Sequence, residues 1–198
     1  MGVTKRVEER VVSRSVLFWR RIDIDGLERL ELTVEADGVT AASTVLCLDD
    51  GGYRLEHRWR LDPDWRARSA TVERWSAGGH GVLRLERAGR GWRVDGVSRP
   101  DLDGAEEADL SVTPFCNTFP IRRTPEAAGA SLALDVALID GAALTVARSR
   151  QRYDRQGPGR VRFVSLGLTP GFEADLLVDG RGLVLRYEHL FERVAPPV

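Results

Sequence analysis

Three polar residues stand close together in the segment 109–123, DLSVTPFCNTFPIRR: Asn117, Arg122 and Arg123. An asparagine amide both donates and accepts, and an arginine presents a planar fork of N–H donors suited to carboxylate or phosphate. Held over an apolar interior, the three would take an anionic or sugar head group. The plainer alternative has Asn117 bonding its own backbone and the arginines pairing with Asp109, Glu126 or solvent. Arg66 and Tyr153 are further candidates for the polar end of such a site. An acid–base reading would use Asp109, Glu28 or His57, but the sequence shows no paired arrangement of them.

Other chemistries find less support. The three histidines, His57, His80 and His189, form no metal-ligand spacing with one another or with either cysteine. No G-x-S-x-G elbow is present. The glycine-rich pieces RAGRGWR and DGRG read as turns rather than phosphate loops. Asp101 and Asp103 in PDLDG lack the further ligands of a calcium loop. No metal and no cofactor is expected.

The chain has 198 residues, a net charge of −1 and 42% hydrophobic residues. By mass it should bury about 70% of its unfolded surface, enough for one substantial core. The balanced charge argues against nucleic acid as a partner. Of 29 basic residues only Lys5 is a lysine, a bias that codon composition explains. Cys47 and Cys116 either pair or stay reduced. The charged N-terminus contains neither a secretory signal nor a membrane span, so the expectation is a soluble, cytoplasmic protein.

Period-two alternation runs from end to end. In YRLEHRWRL (53–61), Tyr53, Leu55, His57, Trp59 and Leu61 share one face, opposite Arg54, Glu56, Arg58 and Arg60. SLALDVALI (131–139), FEADLLV (172–178) and GLVLRYE (182–188) behave similarly. Gly- and Asp-rich turns separate such runs at short intervals. The pattern predicts a mainly β protein with a large antiparallel sheet, sandwich or barrel. One short helix is expected at Thr113-Pro114, with Thr113 as cap and Pro114 at the first position. Phe115 and Phe119 then share a face, and Pro120 is expected to stop the helix within one or two turns.

The expected organisation is an N-terminal extension or first strand over 1–16, a single β domain over 17–194 and a tail over 195–198. Trp59 lies on the face opposite Arg58 and Arg60, so the pattern points inward, and the five tryptophans are read as filling a core or lining a cavity. Trp59, Trp65, Phe115, Phe119 and Tyr187 are the candidate wall residues.

The segment 109–123 resembles the putative glycolipid-binding family, formerly a domain of unknown function. The shared pattern is an acidic residue, Thr-Pro-Phe, Asn-Thr, an apolar residue and Pro-Ile-Arg-Arg. Cys116 and Phe119 depart from the threonine and leucine of that pattern. The likeness continues through LFWRRIDIDGLERLEL (17–32), LDPDWRARSATV (61–72), GWRVDG (91–96), RQRYDR (150–155) and ADLLVDGRGLVLRYEHLFER (174–193). It implies a broad antiparallel sheet curled into a half-barrel around a short helix, similar in shape to bacterial lipoprotein carriers. It implies no catalytic residues. The leading expectation is therefore non-catalytic binding of a lipid or glycolipid. The alternatives are a packed interaction protein or an enzyme acting on a lipid-like or sugar substrate.

Overall fold

Wherever apolar and polar residues alternate, the chain forms a strand. In Tyr53–Leu61 the five predicted inward residues are all buried, while Arg54, Arg58 and Arg60 are exposed. The structure, a computed structural model, describes residues 13–195. Most of the expected N-terminal extension, residues 1–12, and the end of the tail, 196–198, lie outside the described residues.

The strands are β1 (Ser13–Arg21), β2 (Gly26–Glu35), β3 (Gly38–Cys47), β4 (Tyr53–Leu61), β5 (Ala67–Ser76), β6 (Gly79–Ala88), β7 (Gly91–Val94) and β8 (Val97–Arg99). After a 3₁₀ turn come β9 (Glu107–Leu110), β10 (Ser131–Asp140), β11 (Thr145–Gly157), β12 (Arg160–Ser165), β13 (Glu173–Val178), β14 (Val184–Tyr187) and β15 (Phe191–Val194). All belong to one open sheet, ordered β8-β7-β6-β5-β4-β3-β2-β1-β15-β14-β13-β12-β11-β10-β9. Two meanders thus meet where β1 pairs with β15. Antiparallel pairing holds between all neighbours except β9 and β10, which run parallel. A parallel pair needs a crossover. The segment 111–130, which contains the helix, provides it.

The sheet stays open but curls enough for side chains near one end to reach the other, with no backbone ladder between them. Arg87 Nη2 donates to Glu106 O at 2.8 Å and Trp92 Nε1 to Ala105 O at 3.0 Å. Arg99 Nη2 donates to Val146 O at 3.1 Å, and Arg148 Nη1 to Asp103 O at 2.8 Å. Glu107 Oε1 accepts the backbone N–H of Ala67 at 2.9 Å. The half-barrel is the result.

Thr113 Oγ1 accepts the N–H of Phe115 at 3.1 Å, although the cap position itself falls on Pro114, one residue later than expected. A 3₁₀ turn, Phe115–Asn117, runs directly into helix α1 (Thr118–Arg123). Pro120 does not end it. Proline is tolerated in a first turn, where its missing N–H has little to bond. The stop falls at Thr124, whose ψ of 122° is extended because Pro125 follows. Phe115 and Phe119 stack edge to face with centroids 5.1 Å apart, and Trp59 meets Phe119 at 5.6 Å. Trp65 lies 6.5 Å from Phe115. Each enclosed ring contributes about 1.5–3 kcal/mol of burial, so this stack holds the helix against β4 and the loop after it. Cys47 and Cys116 are both free and buried. Among the described residues no helix is long and apolar enough to cross a membrane.

Candidate functional site

Strand β11 carries an unusual inner face. At its inward positions stand Ser149, Gln151, Tyr153 and Arg155, all buried. Buried polar groups need partners, and here the helix and β9 provide them. Arg155 Nη2 donates to the carbonyls of Ile121 and Thr124, 3.0 and 3.2 Å away, placing a cation at the negative end of α1. Asn117 Nδ2 donates to Tyr153 Oη at 2.9 Å. Tyr153 donates onward to Gln151 Oε1 at 3.1 Å, and Gln151 Nε2 to Asp109 Oδ2 at 2.7 Å. The other Asp109 oxygen accepts the N–H of Leu110 at 2.8 Å.

This relay borders a cleft of about 280 Å³ between the segment 109–117, which leads into α1, and strands β10, β11, β12, β14 and β15. Phe163, Phe172, Tyr187 and Phe191 form its aromatic wall, with neighbouring ring centroids 6.0–6.4 Å apart. Ser111, Thr113, Ser149, Ser165 and Thr169 also line it, and no basic residue does. Burial holds Asp109 above the usual carboxylate range, against the opposing bond from Gln151. Burial, with Asp109 nearby, pushes the Tyr153 and Tyr187 phenols well up. The cleft is therefore apolar on one side, hydroxyl-rich on the other, and carries one acid.

A second polar cluster lies behind the start of the helix. Glu28 Oε1 accepts from Ser43 Oγ at 2.7 Å, Thr113 Oγ1 at 2.9 Å and His57 Nε2 at 3.0 Å. Trp59 Nε1 donates to His57 Nδ1 at 3.0 Å, so the imidazole proton must sit on Nε2. Glu28 and His57, two of the residues an acid–base reading would use, are thus in contact. Their side chains are only 2% and 0% exposed, and neither lines the cleft.

The structure separates the other site candidates. Asn117 and Tyr187 line the cleft and Tyr153 lies behind it within the relay. Trp59, Trp65, Phe115 and Phe119 form the stack that anchors the helix. Arg122 lies over the Trp65 ring, 4.4 Å from its centroid, and donates to Arg181 O at 2.6 Å. It borders a different groove of about 440 Å³ with Arg155, Arg181, Glu126 and Asp179. Arg123 turns to Glu107, with Nη2 3.2 Å from Oε2. Arg66 is exposed on the loop after β4, its N–H bonded to Asp62 Oδ1 at 2.9 Å. Asn117, Arg122 and Arg123 do not converge, because helical residues five and six apart point about 140° and 240° away from the first.

Sequence reasoning passed over Gln151, Ser149 and the phenylalanines of the wall. The signal was available for β11. Period two through RSRQRYDR places Ser149 and Gln151 on the same inward face as Tyr153.

Residues 16–193 match the family model described as Putative glycolipid-binding. The chain is also similar to a DUF1089 family protein from Pseudomonas aeruginosa, known from a crystal structure. The two are 35% identical with a TM-score of 0.75, over 84% of this chain and 92% of that one. No curated protein matches.

Proposed function

Because this chain belongs to the putative glycolipid-binding family, we propose that it binds part of a lipid or glycolipid in the cleft between the segment 109–117 and strands β10, β11, β12, β14 and β15, without catalysis. The observation that carries this reading is the pairing of an aromatic wall with a hydrogen-bonded polar relay inside one open cleft. At about 280 Å³ the cleft falls just below the roughly 300–1,000 Å³ common for small-molecule sites. It suits a head group or a short chain segment rather than a whole glycolipid.

The packed half of the molecule supports the cleft. The stack of Trp59, Phe115 and Phe119 fixes α1, so Asn117 meets Tyr153 without rearrangement. A preformed site avoids ordering costs that would otherwise oppose binding.

Native mass spectrometry after incubation with a mixed bacterial lipid extract tests the proposal. A lipid or glycolipid adduct is expected on the wild type, and its loss on Thr169→Trp, which plugs the cleft at its exposed rim. A bare chain mass, or an adduct indifferent to Thr169→Trp, would count against it.

A further inference from the structure

Among the lining residues Asn117, Ser149, Gln151 and Ser165 are buried beside Phe163, Tyr187 and Phe191, whereas Asp109 is half-buried. Asn117 and Gln151 are each only 4% exposed. The half-exposed lining residues include Leu138, Phe172 and Leu190, beside the hydroxyls of Ser111 and Thr169. The β12–β13 loop adds Leu166 and Leu168, 42% and 56% exposed. Leu168 is held there by its N–H to Ser149 Oγ at 3.3 Å.

The hydrogen bonds of the relay all run one way. Asn117 donates to Tyr153, Tyr153 to Gln151 and Gln151 to Asp109, which ends the chain as an acceptor. Each carboxylate oxygen has two acceptor positions. Leu110 N and Gln151 take one on each oxygen, and two remain. Ser111 Oγ and Ser149 Oγ accept from Gly141 N and Leu168 N, so each keeps a proton to give. A hydroxyl group satisfies both demands, accepting from a serine and donating to Asp109. A fully ionised phosphate or carboxylate only accepts, would face the Asp109 carboxylate, and would find no cation in the lining.

Resting on the lipid-binding reading above, we infer that the cleft takes the neutral, polyhydroxylated end of an amphiphile head-first. Asp109 reads its hydroxyls, and the alkyl chain leaves across Leu166 and Leu168. This orientation inverts that of a tail-holding pocket.

Calorimetric titration of the full chain with methyl β-glucoside, hexyl β-glucoside, hexyl phosphate and hexylamine tests the inference. Hexyl glucoside should bind tightest, with hexyl phosphate at least tenfold weaker, about 1.4 kcal/mol. Asp109→Asn should weaken the glucoside about tenfold and narrow its lead over the phosphate. Leu168→Ser, on an exposed loop, should weaken hexyl glucoside several-fold and leave methyl glucoside unchanged. If Asp109→Asn does not fold, the probe ranking and Leu168→Ser decide the matter. Hexyl phosphate or hexylamine binding as tightly as the glucoside, or no effect of Leu168→Ser, overturns the head-first orientation while leaving lipid binding standing. Binding of none of the four probes, together with no lipid adduct by mass spectrometry, overturns both.

Discussion

Asn117, the last residue of the 3₁₀ turn that leads into α1, donates its amide to the phenol oxygen of Tyr153 on β11 across 2.9 Å, with both side chains almost fully enclosed. The bond ties the crossover helix to the opposite side of the half-barrel and begins the relay that reaches Asp109. Its partners are 36 residues apart in sequence, so it is a product of the curl rather than of local structure.

Tyr153→Phe removes that bond and the one to Gln151, leaving two buried polar groups unpaired. A loss of about 2 kcal/mol is expected, given about 1–3 kcal/mol for an unsatisfied buried group. For a chain of this length that corresponds to a drop of roughly 4–8 °C in Tm. Chemical denaturation measures it. An unchanged midpoint would mean the relay contributes nothing to stability.

The contact between Glu28 and His57 predicts a contrast between two variants. Glu28→Leu strands Ser43, His57 and Thr113, whose donors all converge on Oε1. It should cost about 3 kcal/mol or more. Glu28→Gln keeps an acceptor there and should cost about 1 kcal/mol or less. Equal losses in urea titrations would show that shape, not hydrogen bonding, governs this cluster.

The neighbouring arginines should also differ. Arg123 faces Glu107, which is 1% exposed, and removing the cation leaves that carboxylate its two backbone N–H donors and, as the remaining cation, the more distant Arg87 at 3.9 Å. Breaking a buried pair typically costs about 3–5 kcal/mol, so Arg123→Ala should lose about 3 kcal/mol. Arg122→Ala forfeits a ring contact and one carbonyl bond and should lose about 1 kcal/mol. Thermal unfolding of the two variants side by side gives the comparison, and a larger loss for Arg122→Ala would contradict it.

How much of this was legible in the sequence depends on distance along the chain. The inward face of β4 follows from period two in YRLEHRWRL, and the helix start from Thr113-Pro114. Pro120 misled because its effect depends on position: in the first turn it is tolerated, and only Pro125 forces an extended residue before it. Asn117 and Tyr153 stand out separately, but nothing local says that they touch. Gln151 and Ser149 were readable by register, yet polar residues at inward positions carry meaning only once a partner such as Asp109 is in place. The parallel pairing of β9 with β10 and the side-chain seam between the sheet ends are tertiary outcomes with no local signature.

Asp109 also sets a pH dependence. Burial raises its pKa in the native state, whereas in the unfolded chain it titrates at about 4. Between those values the native state holds more protons, so stability falls as pH rises through that window. Tyr153, Tyr187 and Cys116 face the same carboxylate, and burial pushes each of them well up. Asp109→Asn lacks the titrating group. The stability of the wild type relative to that variant should therefore be greatest below about pH 4 and decline toward neutrality. A difference that grows with pH would have the wrong sign.

Occupation of the cleft is read directly by mapping amide chemical-shift changes in the ¹⁵N-labelled chain as hexyl β-glucoside is added. Binding in the cleft predicts shifts concentrated at Asn117, Ser149, Gln151, Ser165 and Thr169, saturating together. Shifts confined to the groove of Arg122 and Arg181, or none at any concentration below micelle formation, would contradict it.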